Sequence, residues 1–101
     1  MFEKINIYLD DVRQAPGCFI RTYTVEETIG LIQRHNGNIG IVSLDNDLGE
    51  GFEEGRKVVD WIDEQFHTDP NFILPDIIDV HSANGPAGDY MRKTIRRMYL
   101  V

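Results

Sequence analysis

Strand and helix signals alternate along this chain, and that alternation predicts an α/β layered fold with a mostly parallel four-stranded sheet, right-handed crossovers and helices on both faces. Two further observations agree with it. The stretch 39–44 is apolar on both faces, as a strand covered on both sides would be. At 101 residues the chain is long enough for one hydrophobic core and no second one, so residues 1–101 form a single domain.

The elements follow in order. Lys4 to Leu9 alternates, is rich in strand-forming residues and stops at Asp10-Asp11. Val12 to Gly17 contains Pro16-Gly17 and leaves no room for a helix of ordinary length. Phe19 to Tyr23 reads as a short second strand, at an edge because Arg21 interrupts it. Thr24-Val25-Glu26-Glu27 has capping-box spacing. A helix then follows with Val25, Ile29 and Ile32 as its apolar stripe, flanked by Thr28 and Leu31, and His35-Asn36-Gly37 stops it. His35 falls at the helix C-terminus, where contact with the dipole suits it better than metal ligation.

Ile39 to Leu44 is the third strand and ends at Asp45. Gly49, Gly51 and Gly55 loosen the next loop. Phe52 to about His67 then carries Val58, Val59, Ile62 and Phe66 at helical spacing, with His67 a surface or capping residue at the exit. Pro75 separates the following connector from a fourth strand over residues 77–82, in which Asp79 argues for an edge position with one wet face. After Ala83-Asn84-Gly85-Pro86 comes a last helix with Tyr90, Met91, Ile95 and Met98 as its buried positions.

Composition excludes several classes of function. The net charge of −7 argues against general nucleic-acid binding, which depends on Lys and Arg displacing counterions. No apolar run approaches the roughly 20 residues that cross a bilayer, and no signal-peptide pattern opens the chain, so no membrane association and a cytoplasmic location are expected. Cys18 has no partner for a disulfide and is expected to be buried or half-buried. Arg92, Lys93, Arg96 and Arg97 gather on the last helix, which reads as a solvated face or as a surface for an anionic partner.

Three strands end in chemistry. The first ends in Asp10-Asp11, the third in Asp45 and Asp47, and the fourth in His81-Ser82 with Asn84 close behind. In a parallel sheet these ends share one edge, where such folds bind ligands. Single aspartates at strand ends are often helix caps. Four of them at neighbouring strand ends carry a like-charge cost that a cation would relieve. Hard oxygen donors with room for water favour Mg²⁺ (or Mn²⁺) over Zn²⁺. Asp47, two residues into the loop, is the weaker ligand and has an alternative as a turn cap before Gly49.

Leu9-Asp10-Asp11-Val12-Arg13 with Pro16, Ser43-Leu44-Asp45-Asn46-Asp47-Leu48-Gly49, and His81-Ser82-Ala83-Asn84 together resemble the receiver domains of two-component signalling. More closely, they resemble the branch called cyclic-phosphate processing receiver domains, and the resemblance covers nearly the whole chain. It implies a small receiver-like (flavodoxin-like) three-layer sandwich that lacks the first helix and the fifth strand of ordinary receivers. It also implies Mg²⁺ binding by the paired acids, Asp45 at the phosphoacceptor position, and phosphate contact by Ser82, with Asn84 a further phosphate-binding candidate beside it. Ordinary receivers carry a phosphate-gripping lysine on the fifth strand. No lysine here takes that role, and Arg13 is the nearest replacement, with an ion pair to Asp10 or Asp11 as its alternative.

His81, beside Ser82 at a carboxylate-rich edge, is a candidate general acid or base. The leading expectation, by resemblance, is a metal-dependent phosphoester-processing domain, a cyclic-phosphate hydrolase or phosphodiesterase acting on a small phosphorylated ligand. In it Asp10, Asp11, Asp45 and Asp47 hold the metal, Arg13, Ser82 and Asn84 bind phosphate, and His81 and Asp45 are catalytic. The alternatives are a non-catalytic receiver-like module that binds phosphate or metal, and an acidic domain that presents a charged face to a protein partner.

Overall fold

The computed structural model describes residues 3–10, 14–45, 55–81 and 85–100, with the side chains of 85–87 left aside. Strands β1 (Ile5–Leu9), β2 (Ile20–Thr22), β3 (Ile39–Leu44) and β4 (Ile77–Val80) form one parallel sheet in the order β2-β1-β3-β4. Helices α1 (Val25–Arg34), α2 (Arg56–Thr68) and α3 (Gly85–Tyr99) follow β2, β3 and β4. Both strands expected at edges are at edges, and Asp79 on β4 is exposed. The described part of the β1–β2 connection is a turn at Gly17-Cys18 closed by the Phe19 amide on the Pro16 carbonyl, 3.0 Å. No helix of the described residues is long and apolar enough to cross a membrane.

Local chemistry explains the element boundaries. Thr24 Oγ1 accepts the Glu27 amide at 3.2 Å, and Glu27 Oε1 reaches back to the Tyr23 amide at 2.9 Å, one residue earlier than in the usual capping box. Thr28 donates to the Thr24 carbonyl at 2.9 Å. Having spent its only proton there, Thr28 accepts from Thr22 at 2.7 Å. That bond lets two threonines lie buried between β2 and α1. Gly37, at φ +86, takes the left-handed turn after α1 that a side chain would strain. The described part of α2 begins at Arg56 after Gly55, and the expected start at Phe52 lies outside the described residues.

The β1–β3 ladder contains an irregularity. Ile5 pairs with Ile39, but Ile7 pairs with Val42, so β3 carries one extra residue. Asn6 Oδ1 accepts the Ile41 amide at 2.9 Å, and a Cβ on Gly40 would lie 2.6 Å from that oxygen. The bulge turns Ile39 and Val42, three residues apart, to the same core.

The core lies between the helices and one face of the sheet. Ile7, Leu9, Val42, Leu44, Ile78 and Val80 meet Val25, Ile32, Val58, Val59, Ile62, Met91 and Met98 in a single cluster. By strand alternation those sheet residues share one face. The layer count therefore differs from expectation: the described helices make one layer, not two. The reason is directional. Both helical crossovers step the same way across the sheet, from β2 past β1 to β3 and then to β4, so right-handed connections put α1 and α2 on the same side, and Met91 and Met98 join α3 to the same core. The opposite face carries Asn6, Tyr8, Asp10, Arg21, Ile41, Ser43, Asp45 and Asp79.

Two side-chain expectations also change. Tyr90, expected in the core, is exposed and donates to Asp60, while Thr94 takes an inward position of α3 and satisfies its hydroxyl on the Tyr90 carbonyl. Cys18 is exposed, because it lies on the β1–β2 turn and not in a strand.

Candidate functional site

The ladder extends one residue past three strands. The Asp10 amide donates to the Thr22 carbonyl at 3.1 Å, the Asp45 amide to the Leu9 carbonyl at 3.0 Å, and the His81 amide to the Leu44 carbonyl at 3.0 Å. These bonds fix Asp10, Asp45 and His81 side by side at the carboxyl ends of β1, β3 and β4. Alternation points all three to the helix-free face. One carboxylate or imidazole atom from each lies within 4.8 Å of those of the other two.

His81 is held on three sides. Its Nε2 is 3.0 Å from Asp10 Oδ2, its Nδ1 is 2.7 Å from Ser43 Oγ, and the Tyr8 ring stacks on it with centroids 4.3 Å apart and planes 5° from parallel. Asp10 is 1% exposed, so its charge depends on such partners and cannot rely on water. Phe19 meets the edge of Tyr8 and helps close that side. On the β2 flank Arg21 Nε donates to the Asp10 carbonyl at 3.0 Å, and its guanidinium lies over the Tyr23 ring at 4.4 Å. On the β4 flank Arg92, expected on a solvated face, reaches the Val80 carbonyl at 3.5 Å.

The donor set suits a divalent cation. Two carboxylates and an imidazole nitrogen converge, and the other ring nitrogen is tied to a serine, the kind of support that metal-binding histidines usually have. Carboxylates suit Mg²⁺ or Mn²⁺, and an imidazole neighbour tilts the preference toward Mn²⁺. Of the site residues expected from sequence, Asp10, Asp45 and His81 come together. Asp11, Arg13, Asp47, Ser82 and Asn84 lie outside the described residues. The other histidines are elsewhere: His35 is the C-cap of α1, and His67 is exposed on α2 beside Asp63.

Sequence reasoning passed over Tyr8, Ser43 and Arg21. A signal for the first two was present in the alternation. Tyr8 is two residues before Asp10 and Ser43 two before Asp45, so each shares its aspartate's face. Arg21 is paired with Tyr8 in the β1–β2 register and joins the same face.

Comparison with known proteins gives a family match over most of the chain. The model described as cyclic-phosphate processing receiver domain covers residues 5–97. A search of curated proteins gives no match. Among solved structures, a signal receiver domain from Vibrio parahaemolyticus aligns over 96% of this chain and 94% of its own, at 16% identity and a TM-score of 0.46. A likeness of that size carries no argument about function.

Proposed function

Because the chain belongs to the cyclic-phosphate processing receiver domain family, we propose that it is a metal-dependent phosphoester-processing enzyme that opens a cyclic phosphate on a nucleotide-type ligand. The observation that carries this reading is the convergence of Asp10, Asp45 and His81 within 4.8 Å at one sheet edge. Asp10 and Asp45 hold Mg²⁺ or Mn²⁺. When bound, the cation supplies Lewis-acid polarisation of a phosphoryl oxygen.

The chain's own groups supply positioning and proton transfer. His81 gives the proton on Nε2, the nitrogen on the carboxylate side, to the alkoxide oxygen released when the ring P–O bond breaks, and takes one back at the same nitrogen from the attacking water. Ser43 holds Nδ1 and so fixes the ring's orientation. Tyr8 covers one face of the imidazole and keeps water from it. Ser82 orients the phosphate and Asp11 joins the metal-binding acids, roles carried over from the resemblance; Arg13, which follows the diacid directly, and Asn84 also bind the phosphate, and Asp47 is the weaker ligand of the acidic edge.

Purified protein incubated with a panel of cyclic nucleotides and Mg²⁺ or Mn²⁺ tests the reading, together with a metal titration. The wild type should open at least one of them. His81→Gln should keep its metal affinity within a few-fold and lose roughly 10²–10⁴-fold in turnover, the usual contribution of a general acid or base. Parallel loss of metal and turnover would make His81 a ligand and refute its role as proton carrier.

A further inference from the structure

Arg21 lies in β2 opposite Tyr8, and alternation places its side chain on the helix-free face with Asp10. Its Nε donates to the Asp10 carbonyl at 3.0 Å, which fixes the guanidinium at the end of β1. The Tyr23 ring, 4.4 Å from the guanidinium carbon, fixes its plane. No carboxylate of the described residues forms an ion pair with Arg21. Arginine has five N–H donors in a rigid fork, and the carbonyl uses one. What remains is an oriented cation with spare donors at the carboxyl end of β1, the strand that ends in Asp10.

We propose that Arg21 binds a phosphate oxygen of the ligand from the β2 side, as a positioning and anion-binding residue. The inference rests on the reading that Asp10 and Asp45 hold a divalent cation, since that charge must first offset theirs. With the acids neutralised, the planar fork can take two phosphate oxygens at once, which a lysine point charge cannot do. Tyr23 limits the entropy lost on binding by holding the guanidinium in place beforehand.

Two titrations test this on wild type, Arg21→Gln and Arg21→Lys. Mg²⁺ is titrated first, without phosphate, and inorganic phosphate is then titrated into the Mg²⁺-loaded protein. Expected is equal Mg²⁺ affinity in all three, phosphate binding weakened roughly tenfold or more in Arg21→Gln, and a partial recovery in Arg21→Lys. Absent Mg²⁺ uptake by the wild type would overturn the metal reading and this inference with it. Normal Mg²⁺ uptake with equal phosphate affinity in wild type and Arg21→Gln, or with no phosphate binding by the wild type, would overturn the inference alone. A joint fall of Mg²⁺ and phosphate affinity in Arg21→Gln would reduce Arg21 to a prop for the Asp10 backbone.

Discussion

Ser43 Oγ, 2.7 Å from His81 Nδ1, serves both protonation states of that ring. An ionised Asp10 carboxylate only accepts, so Nε2 carries a proton toward Asp10 Oδ2 and neutral His81 accepts from the serine at Nδ1. When the ring is charged, the same hydroxyl turns and accepts. Ser43→Ala removes this partner while taking away a single buried oxygen. Turnover is expected to fall about 10–100-fold, part of the contribution of a general acid or base whose ring is no longer held in one orientation, and the nitrogen shifts of His81 should show a mixture of tautomers where the wild type shows one. A single unchanged tautomer in Ser43→Ala would remove the serine from the mechanism. Asp10, Asp45 and His81 were legible because each ends an apolar run in a residue that strands seldom tolerate. Tyr8 and Ser43 were not, since a tyrosine and a serine inside strands are ordinary until the face they share with the aspartates is known.

At the scale of elements, caps and bulges decide where the chain turns. Thr24→Ala should cost about 1 kcal/mol, the usual worth of an N-cap side chain, read as a lower denaturant midpoint at unchanged m. Gly40→Ala should destabilise as well, because its methyl would meet Asn6 Oδ1, which already serves the Ile41 amide. Tyr99, on α3, donates to the Pro75 carbonyl at 2.6 Å. Burial, with Asp76 adding to it, pushes its hydroxyl from 10.0 up to about 12. A pKa raised in the folded state means that stability is fully present below pH 10.0 and is lost as pH rises toward about 12. The stability difference between wild type and Tyr99→Phe should therefore shrink across that window, and a constant difference would show that Tyr99 does not titrate there. Each strand and helix of the described residues could be placed from periodicity and its flanking turn residues. The bulge was hidden, because Gly40-Ile41 differs from a regular strand only through the Asn6 side chain opposite.

Among the described residues, helices cover the sheet on one side. Three helices bury the Ile7-Leu9-Val42-Leu44 face, and the face with the candidate site carries none among the described residues. The apolar character of β3 misled on this point: Ser43 is buried beside His81, on which Tyr8 stacks, while Ile41 is only half-buried, and among the described residues no second helical layer covers them. Ile62→Ala, at the centre of the covered side, should cost about 2–5 kcal/mol without disturbing metal uptake, since the core and the site lie on opposite faces. The most direct measurement is a phosphorus NMR time course of cyclic nucleotides incubated with wild type and Asp45→Ala at saturating Mn²⁺. If Asp10, Asp45 and His81 form a phosphoester-processing site, the cyclic phosphate signal of at least one nucleotide gives way to a monoester signal with the wild type and persists with Asp45→Ala. Persistence of every cyclic signal with the wild type, or equal conversion by Asp45→Ala, would contradict it.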